Sequence, residues 1–195
     1  MARPRQFDEQ EVRDRIADVF AAHGFRGTSL SMLTDAAGVG KQGLYNAFGD
    51  KQALYLQALD LAAARMSGAQ DAMDACPNGR VAIVAFFATI VHLSVDPDPA
   101  VNTCVVSAGL LEGIEEAPVN KKLCEKWSCT QDLLINTVRR GQRDGTVRSD
   151  VKAADWARML MALMSGLRVS ARALGDEALL RKTANLALQG LWTDP

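Results

Sequence analysis

Hydrophobic residues recur at helical spacing along almost the whole chain, and no stretch shows the alternation of a half-buried strand. That pattern restricts the fold to the all-α class, cut into segments wherever glycine or proline interrupts it. Val12, Ile16, Val19 and Phe20 predict a first helix from about Asp8 to His23. Gly24 suits its left-handed closing position, and Phe25 the apolar contact that often follows. Thr28 or Ser29 can cap a second helix, Leu30 to Ala37, and Gly38-Val39-Gly40 separates it from a third, Lys41 to Phe48. Asp50 caps a fourth helix that starts at Lys51 and carries Leu54, Ala58 and Leu61 on one face.

Further helices are expected from Val81 to Leu93, Thr103 to Ile114, Val119 to Arg140, Val151 to Leu174 and Asp176 to Trp192. The breaks are Cys76-Pro77-Asn78-Gly79, Asp96-Pro97-Asp98-Pro99 and Gly141-Gln142-Arg143-Asp144-Gly145, prolines being excluded from helix interiors. The total is about nine helices. Hydrophobic residues at 48% and charged residues at 23% fit a folded globular chain. The polar N-terminus lacks the apolar stretch of a secretory signal. The longest apolar run, Val81 to Val91, is too short to span a bilayer. A cytoplasmic location is expected, with no membrane partner, and there Cys76, Cys104, Cys124 and Cys129 are reduced thiols.

The second and third helices, joined by a glycine-containing turn, have the proportions of a helix-turn-helix, whose second helix enters the major groove of DNA. Leu30, Leu33, Val39, Leu44 and Phe48 supply its small core, which leaves Lys41, Gln42, Tyr45 and Asn46 facing outward. Such groups reach phosphates and base edges, and Gln and Asn can pair bidentately with adenine. Gly43 lets backbone approach backbone. Charge argues less clearly. Residues 1–51 hold seven bases (Arg3, Arg5, Arg13, Arg15, Arg26, Lys41, Lys51) and seven acids (Asp8, Glu9, Glu11, Asp14, Asp18, Asp35, Asp50), and the whole chain carries −1. The balance predicts modest non-specific affinity and a shallow salt slope. Arg3 and Arg5 suit either a minor-groove arm or a solvated tail.

The run Thr28-Ser29-Leu30 … Ala36-Ala37-Gly38-Val39-Gly40-Lys41-Gln42-Gly43-Leu44-Tyr45-Asn46-Ala47-Phe48-Gly49-Asp50-Lys51-Gln52-Ala53-Leu54 resembles the DNA-binding signature of the tetracycline-repressor (TetR) family. The resemblance covers about residues 8 to 60. It implies phosphate contacts from Thr28, Tyr45 and Lys51, and base or backbone contacts from Lys41, Gln42, Gly43 and Asn46. It also implies a DNA-binding domain over 1–51, an α-helical sensing and dimerisation domain over 52–195, and a homodimer. The expected activity is that of a repressor released from a palindromic DNA operator by a small molecule or oxidant, with no catalysis and no cofactor. Two positions depart from the family pattern: Gly40 replaces a capping serine, and Thr34 an alanine.

Downstream, the segment 151–174 is apolar on more than one face, with Trp156, Met159, Leu160, Met161, Leu163, Met164, Leu167 and Val169. Together with Leu179, Leu180, Leu186, Leu188, Leu191 and Trp192 of the segment 176–192 it forms the candidate homodimer interface. Met66, Phe86, Phe87, Ile90, Cys104, Val105, Leu111, Trp127 and Met164 are adaptable residues able to line an apolar ligand cavity or simply to fill a core. Cys104 opens a helix, where a thiolate is favoured. That segment, with Gly166-Leu167-Arg168-Val169-Ser170-Ala171-Arg172, is similar to a branch of the family that senses electrophiles and oxidants through a cysteine, so Cys104 is the candidate redox sensor. Cys124 and Cys129 miss the usual zinc spacings, His23 and His92 have no neighbouring ligand pattern, and no metal site is expected. One alternative of another class stays open at this point: an all-α small-molecule-binding or enzymatic protein whose helix-turn-helix is purely structural.

Overall fold

The computed structural model describes residues 8–193, except the side chains of 65–67 and 69. Ten α-helices follow one another: α1 Glu9–Gly27, α2 Leu30–Ala37, α3 Lys41–Phe48, α4 Lys51–Asp74, α5 Gly79–Ser94, α6 Pro99–Asn102, α7 Val105–Leu111, α8 Ala117–Arg143, α9 Ala153–Leu174 and α10 Glu177–Leu188. A 3₁₀ turn over Gln189–Leu191 completes the order. The described residues are thus all-α as expected, with more helices than about nine.

Local chemistry sets most of the boundaries. Asp8, Asp50, Asn78 and Asp176 each turn a side-chain oxygen onto a backbone N–H of the helix that follows. Ser29 does the same for α2, accepting from the Met32 N–H at 3.2 Å. Gly38 ends α2 in the left-handed conformation, at φ 68° and ψ 20°.

Three expectations are corrected. The predicted helix 103–114 is shorter, α7 over Val105–Leu111. A further short helix, α6, stands in the expected break before it, because Asp98 caps it and Pro99 sits at its first position, where proline has no bond to lose. Pro118 likewise stands inside the first turn of α8. The predicted last helix ends at Leu188, since Trp192 turns back to form an antiparallel bridge with Val147.

Two apolar cores hold the molecule. One joins α1–α3 to the first half of α4, to α7 and to the start of α8, through Phe20, Leu33, Leu44, Tyr55, Leu59 and Leu123. The other lies among α5, α8, α9 and α10, built from Ile83, Phe87, Leu134, Leu160, Met164 and Leu188. The start of α5 and the end of α8 meet backbone to backbone: a Cβ on Gly79 would collide with Gly141. Asp144 fixes this junction by accepting the Gly79 N–H at 2.8 Å. Although partial burial opposes it, hydrogen bonds from Thr146 and Gly79 hold the Asp144 carboxyl below its ordinary range.

Candidate nucleic-acid interface and cavity

The inward face of α3 is Leu44 and Phe48, at 0% and 4% exposure, so the opposite face is left to solvent. Lys41, Gln42, Gly43 and Asn46 are exposed, and Tyr45 is half-buried against the edge of the first core. The ammonium of Lys41 lies over the Tyr45 ring, 5.8 Å from its centroid. Lys51 places its own over Phe25, at 4.9 Å. Both lysines occupy the first position of a helix, where the macrodipole disfavours a cation. An approaching phosphate meets the free N–H groups of these helix starts and a lysine beside each. Gly40 caps α3 without a side-chain bond, so nothing of its own covers that end.

Thr28 differs from its expected role. It is 1% exposed, and its hydroxyl donates to the Gly24 carbonyl at 2.6 Å. The phosphate contact implied for it therefore has no free donor in this geometry. Thr28 closes α1 instead. Arg3 and Arg5 lie outside the described residues.

The N-terminal helices are tied to the rest of the chain at Gly24. Its φ of 71° and ψ of 179° break α1 in a positive-φ conformation open to glycine, with a ψ far from that of a left-handed helical closure. The break frees the N–H groups of Phe25 and Arg26, and both donate to the Glu112 carboxylate, at 2.9 and 2.8 Å. Glu112 directly follows α7. A Cβ on residue 24 would strike that carboxylate. Tyr55 of α4 forms a second tie, donating to the Val105 carbonyl at 3.4 Å. Burial, helped by the Glu112 carboxylate and by Cys104, pushes the Tyr55 phenol upward, which keeps it a donor. Nothing in the sequence pattern marked Glu112.

Behind α7 lies a cavity of about 500 Å³. Phe86, Ile90, Cys104, Val105, Trp127 and Met164, six of the predicted pocket residues, line it. Phe87 does not: it is buried in the second core, edge-on to Phe86. Leu111 is 81% exposed and borders a smaller adjoining space of about 280 Å³. The Met66 side chain is outside the described residues. The cavity wall also holds Cys129, Lys126, Ser107 and Arg168, none of which the apolar pattern could single out. All four cysteines are free thiols, and Cys104, half-buried, occupies the N-cap of α7.

A family model for bacterial regulatory proteins of the tetR family matches residues 13–58, and one for the tetracyclin repressor-like C-terminal domain matches residues 81–187. The chain is 26% identical over 194 residues to the HTH-type transcriptional regulator YezE of Bacillus subtilis (strain 168), covering 98% of this chain and 100% of that protein. It is 23% identical over 194 residues to the HTH-type transcriptional repressor ComR of Escherichia coli (strain K12), covering 98% and 92%. Among solved structures it resembles a cysteine mutant of the TetR family regulator CifR complexed with 26 bp operator DNA. The TM-score is 0.88 and the identity 27%, over 98% of this chain and 100% of that one. The enzymatic alternative with a purely structural helix-turn-helix gives way, because regulators of this family bind DNA and are not enzymes. The chain belongs to the TetR family of bacterial regulatory proteins and is a DNA-binding transcriptional regulator.

Proposed function

We propose that this chain is a homodimeric, cytoplasmic repressor that grips a palindromic operator through the exposed face of α3 and lets go when a small molecule enters the cavity. The observation that carries the reading is the cavity's position. Its wall includes α4, which runs directly out of the DNA-binding helices, and the start of α7, which ends on the Glu112 clamp. A ligand favouring a different setting of these two helices shifts the spacing of the reading helices, and affinity falls because two half-sites about 34–36 Å apart are no longer engaged together. Lys41, Gln42, Gly43, Tyr45, Asn46 and Lys51 make the DNA contacts. The division of labour is 1–51 for DNA reading and 52–195 for sensing and dimerisation.

The test is selection of random duplexes by purified protein at physiological salt, followed by the Tyr45→Phe variant on the enriched sequence. An enriched palindrome, bound about ten-fold more weakly once the hydroxyl is removed, is the expected result. No enriched sequence overturns the reading. A second effector reading is an oxidant acting on Cys104, favoured by the thiol's place in the cavity wall. Loss of operator binding on mild peroxide treatment, abolished in Cys104→Ser, is its signature.

A further inference from the structure

The cavity is apolar apart from a few groups, and one of those is a cation without a counter-charge. Arg168 of α9 stands in the wall of both the larger and the smaller space. Its Nε is buried and has no hydrogen-bond partner. Its Nη1 makes one long bond, 3.4 Å, to the Asn102 carbonyl. Among the described residues no carboxylate pairs with it, and no aspartate or glutamate lines either space. In the larger space the other lining cation is Lys126, which lies 2.8 Å from Asp60, an aspartate it shares with Lys122; Arg172 borders only the smaller space. Ser107 borders the same two spaces, and its Oγ is also buried without a partner.

Withdrawing a guanidinium from water costs free energy unless charge and hydrogen bonds are returned to it. Here the fold returns one long bond to a neutral carbonyl. Beside it, Phe86, Ile90, Trp127, Met161 and Met164 offer a dry, adaptable lining. In the larger space one guanidinium without a carboxylate and one free hydroxyl suit a single negative charge. We infer that the cavity takes an organic monocarboxylate with an apolar body. The carboxylate sits on Arg168, with the Ser107 hydroxyl donating to it, and the body lies against Trp127, Phe86 and Ile90.

This rests on the effector-responsive reading above and gives that effector a chemical class. It also supplies a trigger. Arg168 holds Asn102, and Arg172 donates to the Thr103 hydroxyl at 2.7 Å, so two guanidiniums of α9 secure the link between α6 and α7. A carboxylate drawing Arg168 toward itself releases the Asn102 end of that link.

Titration calorimetry with matched pairs, octanoate against octanamide and benzoate against benzamide, decides the matter, with operator release followed by fluorescence anisotropy. The carboxylates are expected to bind at least about ten-fold more tightly than their amides, the increment of one charged hydrogen bond. Arg168→Gln erases that preference and Arg168→Lys retains it, with circular dichroism and gel filtration checking the fold of each. Equal binding of amide and carboxylate to the unaltered protein overturns the assignment, whatever the variants do. If both then release the operator, effector control stands without the anion. Binding by neither class also overturns it, while operator selection still judges the DNA-binding reading by itself.

Discussion

Gly43 carries the clearest residue-scale signal of what α3 is for. Glycine inside a helix costs about 1 kcal/mol relative to alanine, and nothing within the protein requires it here. A Cβ would meet only the Val39 Cβ, at an ordinary 3.8 Å, and the position is exposed. In the proposed DNA-contact reading the need for space comes from the duplex backbone. Gly43→Ala is therefore expected to raise stability by up to about 1 kcal/mol in denaturant melts while weakening operator binding in a gel-shift titration. Equal or stronger binding would remove Gly43 from the interface. The outward face of α3 was legible because Leu44 and Phe48 fix its rotation, and helical geometry does the rest. Thr28 was not legible, because its acceptor is the Gly24 carbonyl, exposed by a backbone break whose ψ no local pattern specifies. Arg168 was visible only as part of a segment resembling the sensing branch, and its own role was not legible, because its meaning lies in the lack of a partner.

At the scale of elements, α2, α3 and the start of α4 stand where the sequence places them, since Ser29, Gly38 and Asp50 are local punctuation. The short helix α6 was missed because Asp98-Pro99 reads as a break and is equally a good helix start. The Glu112 clamp joins residues 87 and 86 positions apart, a distance over which periodicity carries no information. It forms the mechanical tie between α7 and the DNA-reading helices. Glu112→Ala leaves the Phe25 and Arg26 amides unmatched, at a cost of about 1–3 kcal/mol for a buried donor and less where water reaches it. Hydrogen exchange should show both amides opening faster, with α3 amides little changed. Unaltered exchange at these two positions would sink the clamp.

The molecule as a whole presents an apolar strip that its own fold does not cover. Val169 and Leu174 of α9 and Leu179 and Leu186 of α10 are 62%, 54%, 44% and 67% exposed. Leu179 and Leu186 are seven apart and share a helix face. By contrast Leu180, Leu188 and Leu191, expected at the interface, are buried in the protomer's own core. We propose the exposed four as the centre of the two-fold contact, a better-defined set than the sequence could separate. Leu186→Asp should convert a dimer to a monomer in sedimentation and weaken operator binding steeply, because one half-site then binds alone. A persistent dimer would place the contact elsewhere.

The Gly24–Glu112 tie has one more consequence, for how such a chain can diverge. The donors to Glu112 at 25 and 26 are main-chain groups, while the side chains there make contacts of their own. Arg26 donates to the Gly113 carbonyl at 3.1 Å, and Phe25 packs on Tyr55, with ring centroids 5.0 Å apart, beneath the Lys51 ammonium. Positions 24 and 112 carry the carboxylate part of the connection, one through a conformation open to glycine and the other through a two-oxygen acceptor, and Arg26 and Tyr55 add a bond each. A lineage can therefore rewrite the outward face of α3 and the cavity lining independently while keeping this tie, as long as the few residues that make it are inherited together.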